Sequence, residues 1–179
     1  MKRIATRFVL LIGLALLVGL PADAGAVKYL WQIALEEIEG SMQHEYAKQF
    51  VEKIEAASNG KIRCNIHFYG ELGTSDEITR LLQEGDLQFA FQSPGHLGST
   101  IPEVQVFSIH YLFPTDSGLL EKILRNGPHT YKTLRKYYRK HRLELLSIIE
   151  EGWQIWTANK ALRKPADFQG VNFRVMSSP

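Results

Sequence analysis

A single cysteine, Cys64, leaves this 179-residue chain no intrachain disulfide, so its fold must rest on a hydrophobic core. Long apolar runs are also missing. FVLLIGLALLVGL, residues 8–20, spans 13 residues, against the about 20 that a membrane-crossing helix needs. Enzyme signatures are scarce too. His44, His67, His96, His110, His129 and His141 are scattered, with neither HExxH nor zinc-finger spacing. G-x-S-x-G and Walker A sequences do not occur, and the glycines of SPGHLGS do not fit a dinucleotide fingerprint, so no cofactor is indicated. A secreted α/β enzyme with a triad assembled from distant positions stays open as an alternative.

Excess charge is the last thing lacking. The chain has 21 Lys+Arg and 19 Asp+Glu. Without residues 1–24 the counts become 18 and 18, so the slight basicity belongs to the N-terminus and implies no nucleic-acid partner. That N-terminus reads as an export signal. Lys2, Arg3 and Arg7 precede the apolar run, Pro21 breaks it, and Ala22-Asp23-Ala24 or Ala24-Gly25-Ala26 supplies a small-x-small site. An uncleaved membrane anchor is the alternative. Residues 1–24 are therefore expected to be removed as the protein is exported.

Beyond residue 26, strand and helix patterns alternate. KYLWQIAL (28–35) is a β-rich run. Tyr46, Ala47, Phe50, Val51 and Ile54 share one helix face, which Asn59-Gly60 ends. In 62–68, Ile62, Cys64, Ile66 and Phe68 alternate with polar residues, so Cys64 falls on the apolar face, as a core thiol would. Thr74 with Glu77 three residues later forms a capping-box signature. Gly85 stops that helix, LQFAF (87–91) is a third strand, and QSPGHLGST reads as a loop. Two helices, SGLLEKILRN and HTYKTLRKYYRKHR, flank Gly127-Pro128. Further strands are expected at 143–149, 153–158 and 171–175, with a turn at KPADFQG. This alternation predicts an α/β layer architecture with a mainly parallel sheet.

Ligands of open α/β sheets sit beyond the carboxyl ends of the strands. Gln92 and Ser93 come directly after one strand and offer an amide and a hydroxyl; the competing use is turn formation with Pro94-Gly95. Trp153, Gln154 and Trp156 come after another, with core packing expected for at least one tryptophan. Arg174 stands on the polar side of VNFRV. It is either a solvated surface residue or a carboxylate anchor, since a guanidinium binds a carboxylate through two parallel N–H···O bonds. Six Lys or Arg lie within 132–142. They read as a solvated helix face with Tyr131, Leu134 and Tyr138 turned inward, or as a docking surface for a membrane partner.

Several segments, in order, resemble one family. GELGTSDEITRLLQEGDLQFAFQSPGHLG, FVEKIEAASNGKIRCNIHFYG and NKALRKPADFQGVNFRV are similar to the DctP-type solute receptors of tripartite ATP-independent periplasmic (TRAP) transporters. The resemblance runs from about residue 28 to residue 179. It implies a periplasmic-binding-protein-like receptor of two α/β domains, monomeric when full length. Such a receptor closes on a small organic acid and delivers it to membrane permease subunits; a sensor of the same fold is the alternative. It also implies that residues 27–150 form most of a first domain, that 151–179 begin a second, and that the chain is truncated at its C-terminus. Arg174 coincides with the family's carboxylate-binding arginine. Gln92 falls where a polar ligand contact is common. Gln154 replaces a frequent second arginine, which favours a monocarboxylate or a more apolar acid. Glu71 replaces a common glutamine at a loop position.

Overall fold

A computed structural model describes residues 26–176 except 127 and 154; the expectations for residues 1–24 and for Gln154 lie outside the described residues. Strand β1 (Tyr29–Ala34) lies between β2 (Ile62–His67) and β3 (Phe89–Ala90), in the order β2-β1-β3. Both pairings are parallel. Tyr29 faces Ile62 and Ala34 faces His67 on one side, while Ile33 and Ala34 face Phe89 and Ala90 on the other. β1 is thus paired on both edges only at its carboxyl end. There Ile33 and Ala34 are buried, whereas Tyr29 and Leu30 at its start are exposed.

Helix α1 (Met42–Ala57) covers one face of this sheet. Ser41 caps it by accepting from the His44 N–H at 3.2 Å. Ala47, Phe50 and Val51 pack with Ile33, Leu35, Ile66 and Phe89 in the main core, as the apolar face in the sequence predicts. Asn59 and Gly60 end the helix at positive φ, +53° and +74°. Cys64 packs against the same core but is only partly buried. Burial, with Glu55 adding its charge, pushes its thiol pKa up.

Helix α2 (Ser75–Glu84) opens with the predicted capping box. The Glu77 carboxylate accepts from the Thr74 N–H at 2.7 Å, and the Thr74 hydroxyl accepts from the Glu77 N–H at 3.4 Å. Gly85 closes it in the left-handed region, φ +89°, where a side chain would be strained. Beyond β3, the expected loop contains a single helical turn, α3 (Pro94–Leu97), with proline at the first turn, where its missing N–H costs nothing. A 3₁₀ segment (Pro102–Ser108) and helices α4 (Ser117–Asn126) and α5 (Pro128–Lys140) come next. Leu97, Ile101 and Val104 form a second core, against which Tyr137, Tyr138 and Leu143 pack. Burial pushes the Tyr138 phenol up to about 12.

The structure corrects the expectation of strands at 143–149, 153–158 and 171–175, since none of these segments forms a strand among the described residues. A strand exists only within a ladder of backbone partners. Two backbone groups of 143–149 bond to side chains of helix α5 instead. Tyr131 Oη accepts from the Ile148 N–H at 2.9 Å, and Arg135 donates to the Leu145 carbonyl at 3.1 Å. Pro165–Phe168 makes the short helical turn foreseen in KPADFQG. Among the described residues no helix is long and apolar enough to cross a membrane.

Candidate functional site

Parallel strands send all their carboxyl ends to one edge of the sheet. Here that edge carries Glu36 after β1, Phe68 after β2, and Gln92 and Ser93 after β3. It borders a solvent-open depression of about 310 Å³, lined among others by Glu36, Phe68, Tyr69, Ser75, Phe91 and Gln92.

Glu36 is the centre of the polar constellation. Its side chain is 13% exposed. One carboxylate oxygen accepts from the Ser93 N–H at 2.8 Å, and the other lies 2.7 Å from His96 Nδ1. Ser93 Oγ is 3.1 Å from the same ring nitrogen. The Glu36 N–H in turn donates to Gln43 Oε1 at 2.9 Å, so a buried amide on α1 fixes the backbone that carries the acid. Glu36 belongs to EEIEGS, which the sequence shows only as a polar stretch, and His96 is one of six scattered histidines. The strand-end rule that singles out Gln92 after β3 also singles out Glu36 when applied to β1, and His96 lies only three residues beyond Ser93.

Gln92 is committed inward. Its Nε2 donates to Thr79 Oγ1 at 2.9 Å and to the Ser75 carbonyl at 3.1 Å. It ties the exit of β3 to α2 and holds Ser93 in place. The segment bearing Arg174 reaches the same edge through Met176, whose sulfur accepts from the Ser93 hydroxyl at 3.6 Å. A Cβ on Gly95 would overlap the Met176 side chain, so the missing side chain at 95 is what admits this contact. Arg174 is exposed and, among the described residues, makes no ion pair.

The expectation of core packing for one of the two tryptophans is not met: Trp156 is 49% exposed and belongs to neither core, though it makes ring contacts. It stands edge-on to Phe168 and Phe173 at 5.7 and 5.1 Å, and those two rings stack at 5.2 Å. Trp153 is 75% exposed and is not brought to Glu36 or Ser93 by any described contact. No group of three or more His, Cys, Asp or Glu suited to a metal occurs among the described residues.

The family model for the bacterial extracellular solute-binding proteins of family 7, DctP, matches residues 34–179. The chain belongs to this family. It is 38% identical to the ectoine-binding periplasmic protein TeaA of Halomonas elongata over 83% of this chain and 43% of the relative. It is also 38% identical to the ectoine/5-hydroxyectoine-binding periplasmic protein UehA of Ruegeria pomeroyi, over 93% and 48%. A solved TRAP periplasmic solute-binding protein from Marinobacter aquaeolei matches at 44% identity with a TM-score of 0.75, covering 83% of this chain and 48% of that one. These relatives are solute-binding proteins, and the fold is that of TRAP periplasmic receptors. The chain spans about half the length of the curated relatives it matches.

Proposed function

We propose that this DctP-family chain is part of a periplasmic receptor that binds a small zwitterionic carboxylate of the ectoine class and hands it to a TRAP permease. The observation that carries the reading is the half-buried Glu36 carboxylate held beside Ser93, at the edge where Met176 also docks the Arg174 segment. Ectoine combines one carboxylate with one delocalised amidinium. Arg174 matches the carboxylate through paired N–H···O bonds, and Glu36 matches the cation. A dicarboxylate fits less well, because Glu36 would repel its second charge and residue 154 is a neutral glutamine. Residues 27–150 then supply one side of the cleft, and residues from 151 onward begin the other. Export of the chain, with residues 1–24 removed, places it where such a receptor works.

The test is an amide NMR titration of the 179-residue chain with ectoine and, separately, with succinate. Ectoine is expected to shift Glu36, Ser93, His96 and Arg174 signals, and succinate to do so far less. Absence of shifts at millimolar ectoine, or an equal response to succinate, would refute the reading.

A further inference from the structure

Charge is sharply segregated along this chain. Residues 122–143 hold eight Lys or Arg and no Asp or Glu, while residues 25–121 and 144–179 together hold ten Lys or Arg and eighteen Asp or Glu. A net charge near zero therefore hides one strongly basic region on an acidic body. Three of its arginines are already paired: Arg125 with Glu121, and Arg135 and Arg139 with Glu144. Lys132, Lys136 and Lys140 are exposed, and among the described residues no carboxylate pairs with any of them. Spaced four apart on α5, they form one row along the helix, roughly 6 Å between neighbours at 1.5 Å rise per residue.

We propose that this lysine row rests on the anionic headgroup surface of a lipid bilayer. Protein docking patches are anchored by aromatic side chains and free arginines. Among the described residues of α5 no large apolar side chain is exposed, its two arginines are held by Glu144, and Arg142, exposed just beyond the helix, is the single arginine of this region for which no ion pair is described. What faces outward is a row of ammonium groups, that of Lys140 resting 4.9 Å over the Tyr137 ring. These suit a diffuse layer of negative charge and need no shaped partner. The acidic remainder of the chain is repelled by the same layer, so the molecule approaches with α5 foremost. This surface is separate from the Glu36 edge and holds whichever solute the receptor takes.

Vesicle co-sedimentation tests it. The probes are vesicles of phosphatidylglycerol mixed with phosphatidylcholine, and vesicles of phosphatidylcholine alone. The wild type is compared with the triple variant Lys132→Gln/Lys136→Gln/Lys140→Gln and with a control triple, Lys48→Gln/Lys53→Gln/Lys61→Gln, which removes the same charge from exposed positions elsewhere. All three lack residues 1–24, so neither Lys2, Arg3 and Arg7 nor the apolar run 8–20 contributes. Each lysine near an anionic surface contributes about fivefold in partitioning. The α5 triple should therefore lose roughly 100-fold on the anionic vesicles at low salt, and the control should lose far less. Raising the salt should erase the difference. Circular dichroism checks that both variants keep the wild-type helix content. Equal losses for the two triples, or no preference of the wild type for anionic vesicles, would overturn the proposal.

Discussion

Replacing Glu36 separates what the acid does for the fold from what it does for a ligand. Its carboxylate accepts a 2.8 Å bond from the Ser93 N–H and lies 2.7 Å from His96 Nδ1, with only 13% of the side chain exposed. Glu36→Ala removes a charged acceptor from a largely buried backbone donor. Hydrogen bonds to charged groups contribute about 1.5–3 kcal/mol, and an orphaned buried donor costs a similar amount. A loss of about 2 kcal/mol is therefore expected. With a urea slope of about 2 kcal/mol per molar, the unfolding midpoint should fall by about 1 M. Glu36→Gln keeps an oxygen for the Ser93 N–H but lacks the charge, so its loss should be about half as large. For a cationic ligand the order changes, because both variants lack the negative charge and both should bind poorly. Urea unfolding followed by circular dichroism, alongside ligand titration, reads the two effects. A midpoint unchanged in Glu36→Ala would show that the carboxylate does not hold Ser93. Full ectoine affinity in Glu36→Gln would remove the acid from the binding site.

Arg174 is exposed here, so its test belongs to a full-length receptor whose cleft closes over the ligand: there Arg174→Ala should weaken a bound carboxylate by about 30- to 5,000-fold, the 2–5 kcal/mol typical of a lost buried charge partner; Arg174→Lys should cost less, and Gln154→Ala, at about 0.5–1.5 kcal/mol, less again. Calorimetry ranks the three, and wild-type binding by Arg174→Ala would leave that arginine a surface residue. Thr74→Ala should destabilise α2 by about 0.5–2 kcal/mol. Hydrogen bonds from Thr74 hold the Glu77 carboxyl pKa below its ordinary value, so the stabilisation is present above that ordinary value and is lost as pH falls through the lowered one. Acid unfolding of Thr74→Ala should lack that component, and superimposable acid limbs would contradict the capping role. Because burial and Glu55 raise the Cys64 pKa, alkylation at neutral pH should be slower than for a free thiol. It should speed up in Glu55→Gln, and an unchanged rate would confine the cause to burial.

Local chemistry was the legible part of this fold. The Thr74–Glu77 box and the stops at Asn59-Gly60 and Gly85 depend on residues near one another in sequence, so their signals survive without the fold; the three parallel strands were legible through their apolar patterns, although their ladder joins distant residues. The later strands failed for a physical reason. LELLSII and VNFRV have strand periodicity, but periodicity states only which face is apolar. Whether a ladder forms depends on partners elsewhere, and in 143–149 the groups that bond the backbone are Tyr131 and Arg135 of α5. The loop after β3 became a helical turn because Pro94 begins one as readily as it begins a bend.

The candidate edge was legible in position and less so in the contacts its residues make. The rule that ligands meet the carboxyl ends of parallel strands pointed to Gln92 and Ser93, and both do lie at that edge. It could not say which way an amide turns. Gln92 bonds to Thr79 and Ser75 and so acts as a strut, while Ser93 uses its backbone N–H to hold Glu36. EEIEGS offers three carboxylates, Glu36, Glu37 and Glu39, and in the sequence only the position directly after the first strand marks out Glu36. Burial does so as well. A carboxylate kept at 13% exposure must be compensated by hydrogen bonds or by an opposing charge, and Ser93 and His96 supply these. A ligand cation arriving at Glu36 meets a carboxylate already engaged by His96 Nδ1 while the Ser93 N–H holds its other oxygen. The ligand must therefore share or displace the imidazole. Affinity at this edge thus depends on the difference between two partners for one acid, and substitution at His96 should change which cations are accepted even though the histidine need not touch them.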